Sequence, residues 1–267
     1  WRALTRALAS TPPPTRVRIL ALGKAALPMA AAAVQHLDRL DIPVAGGLVV
    51  TADAGPPPDP RLHRIQGDHP VPGSRSLMAA AALETAVEQA SAKEEVWLLI
   101  SGGTTSLVGA PVQGVSNVEY GLLVRGLGRA GLPIGDLNRI RKRFSRWGAG
   151  RLALACRAAR IRVFALSDVP GDALADIGSG PCEPDPTSAA QVRDMLAPLV
   201  ERFDIPATFL RALDRVSRGE AAETPKSDHP AFGRVGSRIV GSNAMALDHA
   251  AARAAALGYA VVRVAEP

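Results

Sequence analysis

The first place where this sequence could do chemistry is a lysine that directly follows a strand-like run. Residues 17–22 are nearly all apolar, and Gly23-Lys24 comes next, just before a helical pattern. A turn from a strand into a helix exposes backbone N–H groups, and the helix dipole there favours an anion. Lys24 would add a point charge. Because the multi-glycine spacing of a Walker motif is missing, a surface lysine at a helix start stays an equal alternative.

A second strand-like run, residues 96–101, ends in a turn of small residues. The turn, residues 101–106, reads SGGTTS. Hydroxyl groups and bare backbone let a substrate approach the main chain closely, and they offer hydrogen-bond donors to carboxylate or phosphate oxygens. We therefore favour a binding role over a plain turn. The G-x-S-x-G spacing of a hydrolase is missing, so Ser101 is not predicted to be a nucleophile.

Two carboxylates four residues apart follow a third strand-like run, residues 161–167. Asp168 and Asp172 flank a Pro-Gly turn. Mg²⁺ usually takes one or two carboxylates together with water and substrate phosphates, so this pair suits that ion. Either residue could instead act as a general base for a substrate hydroxyl. A structural alternative also stays open, in which Asp172 caps a helix and Asp185 forms a turn.

The densest run of positive charge covers residues 138–146, which read NRIRKRFSR and carry five cations in nine positions. Such a density repels itself unless anions or acidic neighbours compensate it. A phosphate-rich ligand would do so, and a solvated helix face is the ordinary alternative. The position of the run, just before a Gly-Ala-Gly turn at residues 148–150, favours ligand contact.

One further loop presents a single imidazole, that of His69. The loop, residues 67–72, reads GDHPVP, and its two prolines make it rigid. A lone histidine is more often structural than catalytic. His69 is therefore not among the predicted site residues.

Composition excludes several classes of protein. Hydrophobic residues make up 47% of the 267 residues and charged residues 21%, which is too apolar for a disordered chain. Aromatic residues are only 4%, too few for base stacking. The net charge of +6 comes from arginines scattered through alanine-rich stretches, so we expect no nucleic-acid partner. Two cysteines without metal-ligand spacing and the lack of a membrane-spanning run predict a cytoplasmic protein away from membranes.

The elements that must position these residues alternate between strand and helix. Strands are predicted over residues 17–22, 47–51, 96–101, 161–167, 237–241 and 259–264. Helices are predicted over residues 28–40, 74–92, 118–130, 150–159, 189–203, 206–218 and 243–257. This alternation predicts an α/β fold, namely a doubly wound, mostly parallel sheet with helices on both faces in a Rossmann-like three-layer arrangement. Two long loops, residues 51–72 and 171–186, follow strands and should border the ligand crevice.

Eight segments, in this order, resemble the N-terminal domain of the bacterial glycerate 2-kinase family that carries a trailing MOFRL domain, whose members are sometimes labelled hydroxypyruvate reductases. The segments are LGKAALPMA (22–30), GLVVT (47–51), GDHPVP (67–72), LLISGGTTSL (98–107), NRIRKRFSRWGAGRLA (138–153), LSDVPGDALADIGSGP (166–181), PDPT (184–187) and PKSDHPAFGRVGSRIVGSNAMAL (225–247). Together they span nearly the whole chain.

The resemblance implies ATP-dependent phosphorylation of D-glycerate to 2-phosphoglycerate, with Mg²⁺, in a cleft between two domains. By position, Lys24 matches the family's active-site lysine, and Asp168 joins it as a catalytic residue. Asp168 and Asp172 match the paired acidic turn and would hold the metal. Substrate or phosphate binding is assigned to nine residues: Gly23, Ser101, Gly102, Gly103, Thr104, Arg141, Lys142, Ser179 and Asn243.

The sequence also departs from the family. Arg143 stands where a histidine is usual, and Gly148 stands where a lysine is expected near phosphate. The trailing MOFRL domain would begin after residue 267. We therefore expect residues 1–242 to form the Rossmann-like domain and residues 243–267 to be a helix and a strand leading toward a missing second domain.

Two other functions stay open. A non-catalytic module that binds anions or sugar acids would keep the fold and the anion-binding loops. An NAD(P)-dependent hydroxypyruvate reductase is less favoured, because Gly23 is not followed by the glycine spacing of a dinucleotide loop. The expected partners are D-glycerate and ATP, and a homodimer is left open.

Overall fold

The computed structural model describes residues 2–264, and its strands form a six-stranded sheet. All the pairings between neighbouring strands are parallel. The strands are β1 (Val17–Leu22), β2 (Val44–Thr51), β3 (Leu62–Gln66), β4 (Glu95–Ile100), β5 (Arg160–Leu166) and β6 (Val235–Gly241). Their order across the sheet is β3-β2-β1-β4-β5-β6. This is the order of a doubly wound nucleotide-binding fold, and the predicted fold class is confirmed.

The central strands are buried on both faces. Leu20 and Leu22 of β1 belong to one buried cluster, whereas Ile19 and Ala21 belong to another. Successive side chains of a strand point to opposite faces, so these two clusters lie on the two sides of the sheet. This explains why the strands are recognisable as nearly continuous apolar runs rather than as alternating patterns.

Helices cover both faces and build a third cluster. The α-helices are α1 (Arg2–Ala9), α2 (Ala26–Arg39), α3 (Ser74–Glu88), α4 (Thr104–Leu107), α5 (Asn117–Arg129), α6 (Ile134–Arg143), α7 (Arg151–Ala155), α8 (Ala189–Val200), α9 (Thr208–Ser217) and α10 (Asn243–Ala256). Helices α1 and α2 pack on the face of Ile19, and α3 and α7 pack on the face of Leu20. Helices α5, α6, α8 and α9 share a separate apolar cluster. None of the helices within residues 2–264 is long and apolar enough to cross a membrane.

Two predictions about strands are wrong. The loop expected over residues 51–72 contains β3, whose sequence LHRIQ has only two apolar residues because an edge strand has one neighbour and is partly exposed. The strand expected over residues 259–264 is not formed, and Val262 there is 85% exposed. No strand of the described chain pairs with this stretch, so its alternation of residues has no ladder to join.

Three helices were not predicted, namely α1, α4 and α6. Helix α6 contains the basic run, so charged residues dominate its sequence and no helical apolar pattern is recognisable. Its apolar side nevertheless places Ile140 in the third cluster. Helix α7 ends at Ala155, four residues before the predicted end. The predicted division at residue 242 falls where β6 gives way to α10, which has no buried residue. Residues 265–267 lie outside the described residues, so the division into 1–242 and 243–267 stays a prediction.

A buried charge cluster ties α6 to two later loops. Asp185 is fully buried and accepts hydrogen bonds from the hydroxyls of Thr187 (2.7 Å) and Thr224 (2.9 Å). The side chains of Lys142 and Arg143 lie 3.8 and 3.4 Å from its carboxylate oxygens. Burial alone would raise the pKa of Asp185, but the hydrogen bonds and the charge of Lys142 outweigh burial and hold the pKa below its ordinary value.

Asp185→Asn should lower the free energy of unfolding by about 3–5 kcal/mol, because it removes the shared counter-ion of two buried cations. Urea denaturation at pH 7 measures the loss. The native pKa of Asp185 is lowered, so the stability that this carboxylate supplies is present above the ordinary carboxyl pKa and is lost as the pH falls through the native pKa. The difference between wild type and variant should therefore shrink on acidification.

Asp228→Asn is the matched control, because Asp228 is an exposed carboxylate only four residues after Thr224 in the sequence. It should change the free energy of unfolding by less than about 0.5 kcal/mol. Equal losses in the two variants would contradict the importance of the buried cluster.

Candidate active site

The strand order reverses between β1 and β4, and the turns that follow these two strands meet there. The chain runs outward from β1 to β2 and β3, and then crosses back to place β4 on the other side of β1. In open parallel sheets, ligands bind in the crevice at such a reversal, beyond the carboxyl ends of the strands. The turns at this point are residues 23–25 after β1 and residues 101–103 after β4.

Three hydrogen bonds fasten the two turns together. The amide of Lys24 donates to the carbonyl of Gly102 (2.9 Å), and the amide of Ala25 donates to the hydroxyl of Ser101 (3.0 Å). In the other direction, the amide of Ser101 donates to the carbonyl of Leu22 (3.0 Å). The backbone of Lys24 is therefore fixed relative to the β4 turn.

Gly23 makes this close approach sterically feasible. Its φ is +122°, a conformation that residues with a side chain rarely adopt. A Cβ at this position would lie 2.2 Å from the hydroxyl oxygen of Ser101 and 2.6 Å from its carbonyl oxygen. Gly23 thus has a packing role, because it admits the neighbouring turn, and its predicted binding role stays a prediction.

A hollow of about 820 Å³ opens beside the two turns. Six predicted site residues line it: Lys24, Ser101, Gly102, Asp168, Asp172 and Asn243. Its volume lies within the range of small-molecule sites. The structure therefore brings the lysine, the small-residue turn and the acidic turn to one space.

Functional side chains pack directly on the glycine pair of the β4 turn. A Cβ at Gly102 would lie 1.8 Å from a carboxylate oxygen of Asp168, and a Cβ at Gly103 would lie 3.3 Å from Cγ of Lys24. A larger residue at position 102 would displace Asp168. The two glycines thus give Asp168 and Lys24 room to converge.

The charges of the hollow are free to meet a ligand. Within residues 3–264, neither the ammonium of Lys24 nor the carboxylates of Asp168 and Asp172 form an ion pair or a hydrogen bond. Helices α2 and α10 both begin beside the hollow, and the positive ends of their dipoles add to the charge of Lys24. This combination suits phosphate or carboxylate oxygens.

The acidic pair also fits one kind of metal. Among the described residues there is no group of three or more His, Cys, Asp or Glu side chains that could hold an ion alone. An ion bound by Asp168 and Asp172 would complete its coordination with water and ligand oxygens. Mg²⁺ binds in this way, so the donor set fits Mg²⁺.

Two predicted binding residues, Thr104 and Ser179, form hydrogen bonds within the protein next to the turn after β4. The hydroxyl of Thr104 donates to the carbonyls of Leu22 (2.9 Å) and Ser101 (2.8 Å) and is buried. The hydroxyl of Ser179, also buried, is hydrogen-bonded to that of Thr105 (2.9 Å). Neither Thr104 nor Ser179 lines the hollow, and both hydroxyls are engaged within the protein.

The basic run does not reach the hollow. Lys142 was predicted to bind phosphate, but its side chain is only 3% exposed and its ammonium faces Asp185. Arg141 is half-buried and donates to the side-chain oxygen of Asn138 (2.9 Å). The density of charge in the sequence is compensated at Lys142 and Arg143 by acidic neighbours within the protein, Asp185 and Glu223, and not by a ligand in the hollow.

Both departures from the resembling family lie in packed surroundings. A Cβ at Gly148 would lie 3.0 Å from the carbonyl oxygen of Lys142 and 3.1 Å from that of Ser179. Arg143 donates to Thr224 and forms an ion pair with Glu223. Neither Gly148 nor Arg143 lines the hollow.

The structure places His69, which is not among the predicted site residues, beside the β4 turn, although His69 does not itself line the hollow. Its Cδ2 lies 3.0 Å from the position of a Cβ at Gly103. Burial lowers the pKa of His69, the charge of Lys24 lowers it further, and Asp168 acts in the opposite direction. The loop of His69 directly follows β3. Because β3 was not recognised as a strand in the sequence, the position of His69 at a strand end was not recognised either.

A protein-family model described as "Domain of unknown function (DUF4147)" matches residues 2–214, which is most of the chain. The chain belongs to this family. Its relatives include the glycerate 2-kinase of Pyrococcus horikoshii, 33% identical over 248 residues, a match that covers 91% of this chain and 53% of that protein. The family resemblance drawn from the sequence is thereby confirmed.

Two further proteins similar to this chain carry different names. A protein of Agrobacterium vitis, provisionally named as a hydroxypyruvate reductase, is 33% identical over 249 residues, which cover 92% of this chain and 61% of that protein. The crystal structure of the glycerate kinase of Thermotoga maritima matches with a TM-score of 0.79 at 29% identity, covering 97% of this chain and 58% of that chain. The chain thus spans about half to three fifths of the length of these relatives.

Gly23→Ala should lower the free energy of unfolding by at least about 2 kcal/mol. The strained φ costs about 1–3 kcal/mol, and the new methyl group must also push the Ser101 turn away. Gly128→Ala in α5 is the control, because a Cβ there meets nothing within 4 Å, and it should stabilise the protein by up to about 1 kcal/mol. If urea denaturation finds Gly23→Ala as stable as wild type, the two turns are not in close contact.

Proposed function

We propose that the protein containing this chain transfers the γ-phosphoryl group of ATP to the 2-hydroxyl of D-glycerate, giving 2-phosphoglycerate and ADP. The observation that carries this proposal is the hollow at the strand reversal, where Lys24, Asp168 and Asp172 face one space without internal partners among the described residues. The similarity to the glycerate 2-kinase of Pyrococcus horikoshii supports the reaction and the substrate.

The residues of the hollow suit phosphoryl transfer, which needs positioning and neutralisation of charge more than a covalent nucleophile. Lys24 would neutralise charge on the transferred phosphoryl group. The bare backbone at Gly102 and Gly103 would let the substrate approach the main chain. Asn243, at the start of α10, would contact the anion from the other side of the hollow.

Asp168 and Asp172 would hold Mg²⁺ bound to the phosphates. When bound, the ion would neutralise phosphate charge and orient the oxygens for transfer. A general-base role for Asp168 is the alternative assignment of the same carboxylate.

A module that binds sugar-acid anions without transferring phosphate is the second candidate. Gly148 favours it, because the resembling family has a lysine at that position. A reductase is less supported, since the turn after β1 lacks the glycine spacing of a dinucleotide loop. The proposed domain division, the cytoplasmic location and a homodimer stay predictions.

Three assays separate these functions. Transfer from ATP to D-glycerate, oxidation of NADH by hydroxypyruvate, and equilibrium binding of D-glycerate test the kinase, the reductase and the binding module respectively. We expect phosphate transfer and no NADH oxidation. Running the assays on residues 1–267 and on a polypeptide extended by a MOFRL domain tests the domain proposal, which expects transfer only in the extended form.

Lys24→Ala should lower kcat for D-glycerate phosphorylation about 100- to 1,000-fold, as expected for the loss of one charge-stabilising group in a transition state. The melting temperature should stay unchanged, because the ammonium has no partner among the described residues. Lys24→Arg should restore little activity, since a guanidinium places its donors differently. Lys93→Ala, an exposed lysine, is the control. Unchanged turnover in Lys24→Ala would remove this residue from the mechanism.

Asp168→Asn and Asp172→Asn should raise the Mg²⁺ concentration needed for half-maximal activity by about ten-fold or more, if these carboxylates hold the ion. The measurement is a Mg²⁺ titration of the initial rate at saturating ATP. A loss of kcat that no Mg²⁺ concentration restores in Asp168→Asn would instead identify the base. Normal rates at all Mg²⁺ concentrations in both variants would contradict any role beyond the turn.

A further inference from the structure

The loop of residues 67–72, which lies beside the site, has no part in the proposed mechanism. Two contacts fix it to the elements of the site. A Cβ at Gly67 would lie 2.4 Å from the carbonyl oxygen of Leu107, so the loop rests on the end of α4. The hydroxyl of Ser106 donates to the carbonyl of Pro70 (2.6 Å). The loop is therefore held against the β4 turn.

The same loop is fixed from its other side by the start of α3. Asp68 accepts hydrogen bonds from the amide of Arg75 (2.9 Å) and from its guanidinium (2.7 Å). The amide of Asp68 donates to the hydroxyl of Ser76 (2.9 Å). His69, between these anchors, is positioned by contacts that do not involve its own ring.

The imidazole of His69 packs on Gly103, the second glycine of the pair. A Cβ at Gly103 would lie 3.0 Å from Cδ2 and 3.3 Å from Nε2 of the ring, and equally 3.3 Å from Cγ of Lys24. The Cδ2–Nε2 edge and the stem of Lys24 thus pack on the same glycine. Asp168 packs on the preceding one, Gly102. Three chemically active side chains converge on a turn of two residues.

His69 differs from three of the other histidines of the described chain, whose rings have partners. Nδ1 of His229 accepts a hydrogen bond from the amide of Ala231, and Nδ1 of His249 is hydrogen-bonded to the carbonyl of Met245. His36 packs against the ring of Trp97. The ring of His69 forms no hydrogen bond within residues 3–264 and is exposed. His63 on β3 is also exposed and forms no hydrogen bond within residues 3–264, so the position of His69 beside Lys24 distinguishes it, not the lack of a partner.

Building on the proposed kinase function, we propose that His69 is a further catalytic residue, whose Nε2 accepts the proton of the acceptor hydroxyl. The hydroxyl oxygen forms a bond to the γ-phosphorus while the bond from that phosphorus to the bridging oxygen breaks. The electron pair of the broken bond leaves with ADP. The hydroxyl proton moves to Nε2 and then to water, which the exposed ring can reach.

The charges around the ring agree with this role. Loss of water around the ring and the ammonium of Lys24 lower the pKa of His69, and Asp168 opposes them. Asp68, the acid next to it in sequence, is occupied by Arg75. A neutral imidazole is the form that can take up a proton. Lys24 would supply the fixed positive charge, His69 the proton acceptor, and Asp168 would be left to the metal.

The test uses the protein as it is encoded, with whatever sequence flanks these residues, and compares His69→Ala, His69→Gln and the control His63→Ala. His63 is an exposed histidine on the neighbouring strand β3. We expect kcat for D-glycerate phosphorylation to fall at least about 100-fold in His69→Ala, with KM for ATP and the melting temperature unchanged. His69→Gln can hold a hydrogen bond but cannot take up a proton, so it should stay slow. Free imidazole should restore part of the rate of His69→Ala, and His63→Ala should match wild type.

Each other outcome is decisive. If wild type phosphorylates D-glycerate and His69→Ala does so within about three-fold of its rate, the inference is wrong and the kinase function stands. If His69→Gln is fully active, or imidazole restores nothing, His69 does not accept the proton. If wild type itself transfers no phosphate to D-glycerate, the proposed function fails and this inference fails with it.

Discussion

At the point where the sheet reverses, the amides of Lys24 and Ala25 donate to groups of the β4 turn, and this close approach positions the rest of the site. This close approach requires glycine at two positions. Gly23 admits the Ser101 turn, and Gly102 admits the carboxylate of Asp168. Backbone contact between two strand ends thus sets the spacing of a cation and an anion that come from opposite sides of the reversal. Parallel pairing of β1 with β4, residue for residue, keeps that spacing fixed.

The charged residues discussed above fall into two groups, those with an ion-pair partner inside the protein and those without one. Lys142 and Arg143 are buried and face Asp185, so their charge holds α6 to the later loops. Lys24 and Asp168 lie at the hollow and have no partner among the described residues. Burial of an unpaired charge is costly, whereas an exposed unpaired charge at a crevice is available to a ligand. This difference, rather than the local density of charge, distinguishes the site from the scaffold.

The sequence predicts those parts of the molecule that depend on local pattern. Strands such as β1 and β4 are buried on both faces, and their apolar runs identify them and the residues that follow them, including Lys24 after β1 and Ser101 after β4. Burial of a charged residue depends on distant partners, so nothing near Lys142 indicates that Asp185 will neutralise it. The edge strand β3 has too few apolar residues to be recognised, and the placement of His69 is lost with it. The stretch 259–264 shows the converse, because a strand-like pattern forms no strand without a neighbour.

The central claim is that the turns after β1 and β4 hold a nucleotide and a small hydroxy acid side by side. A crystal structure of the encoded protein with D-glycerate and a non-hydrolysable ATP analogue tests it most directly. The account predicts both ligands in the hollow, with phosphate oxygens at Lys24 and the acid beside the Ser101–Gly103 turn. Ligands bound only elsewhere, for example in the groove between α1, β6 and α10, would contradict it.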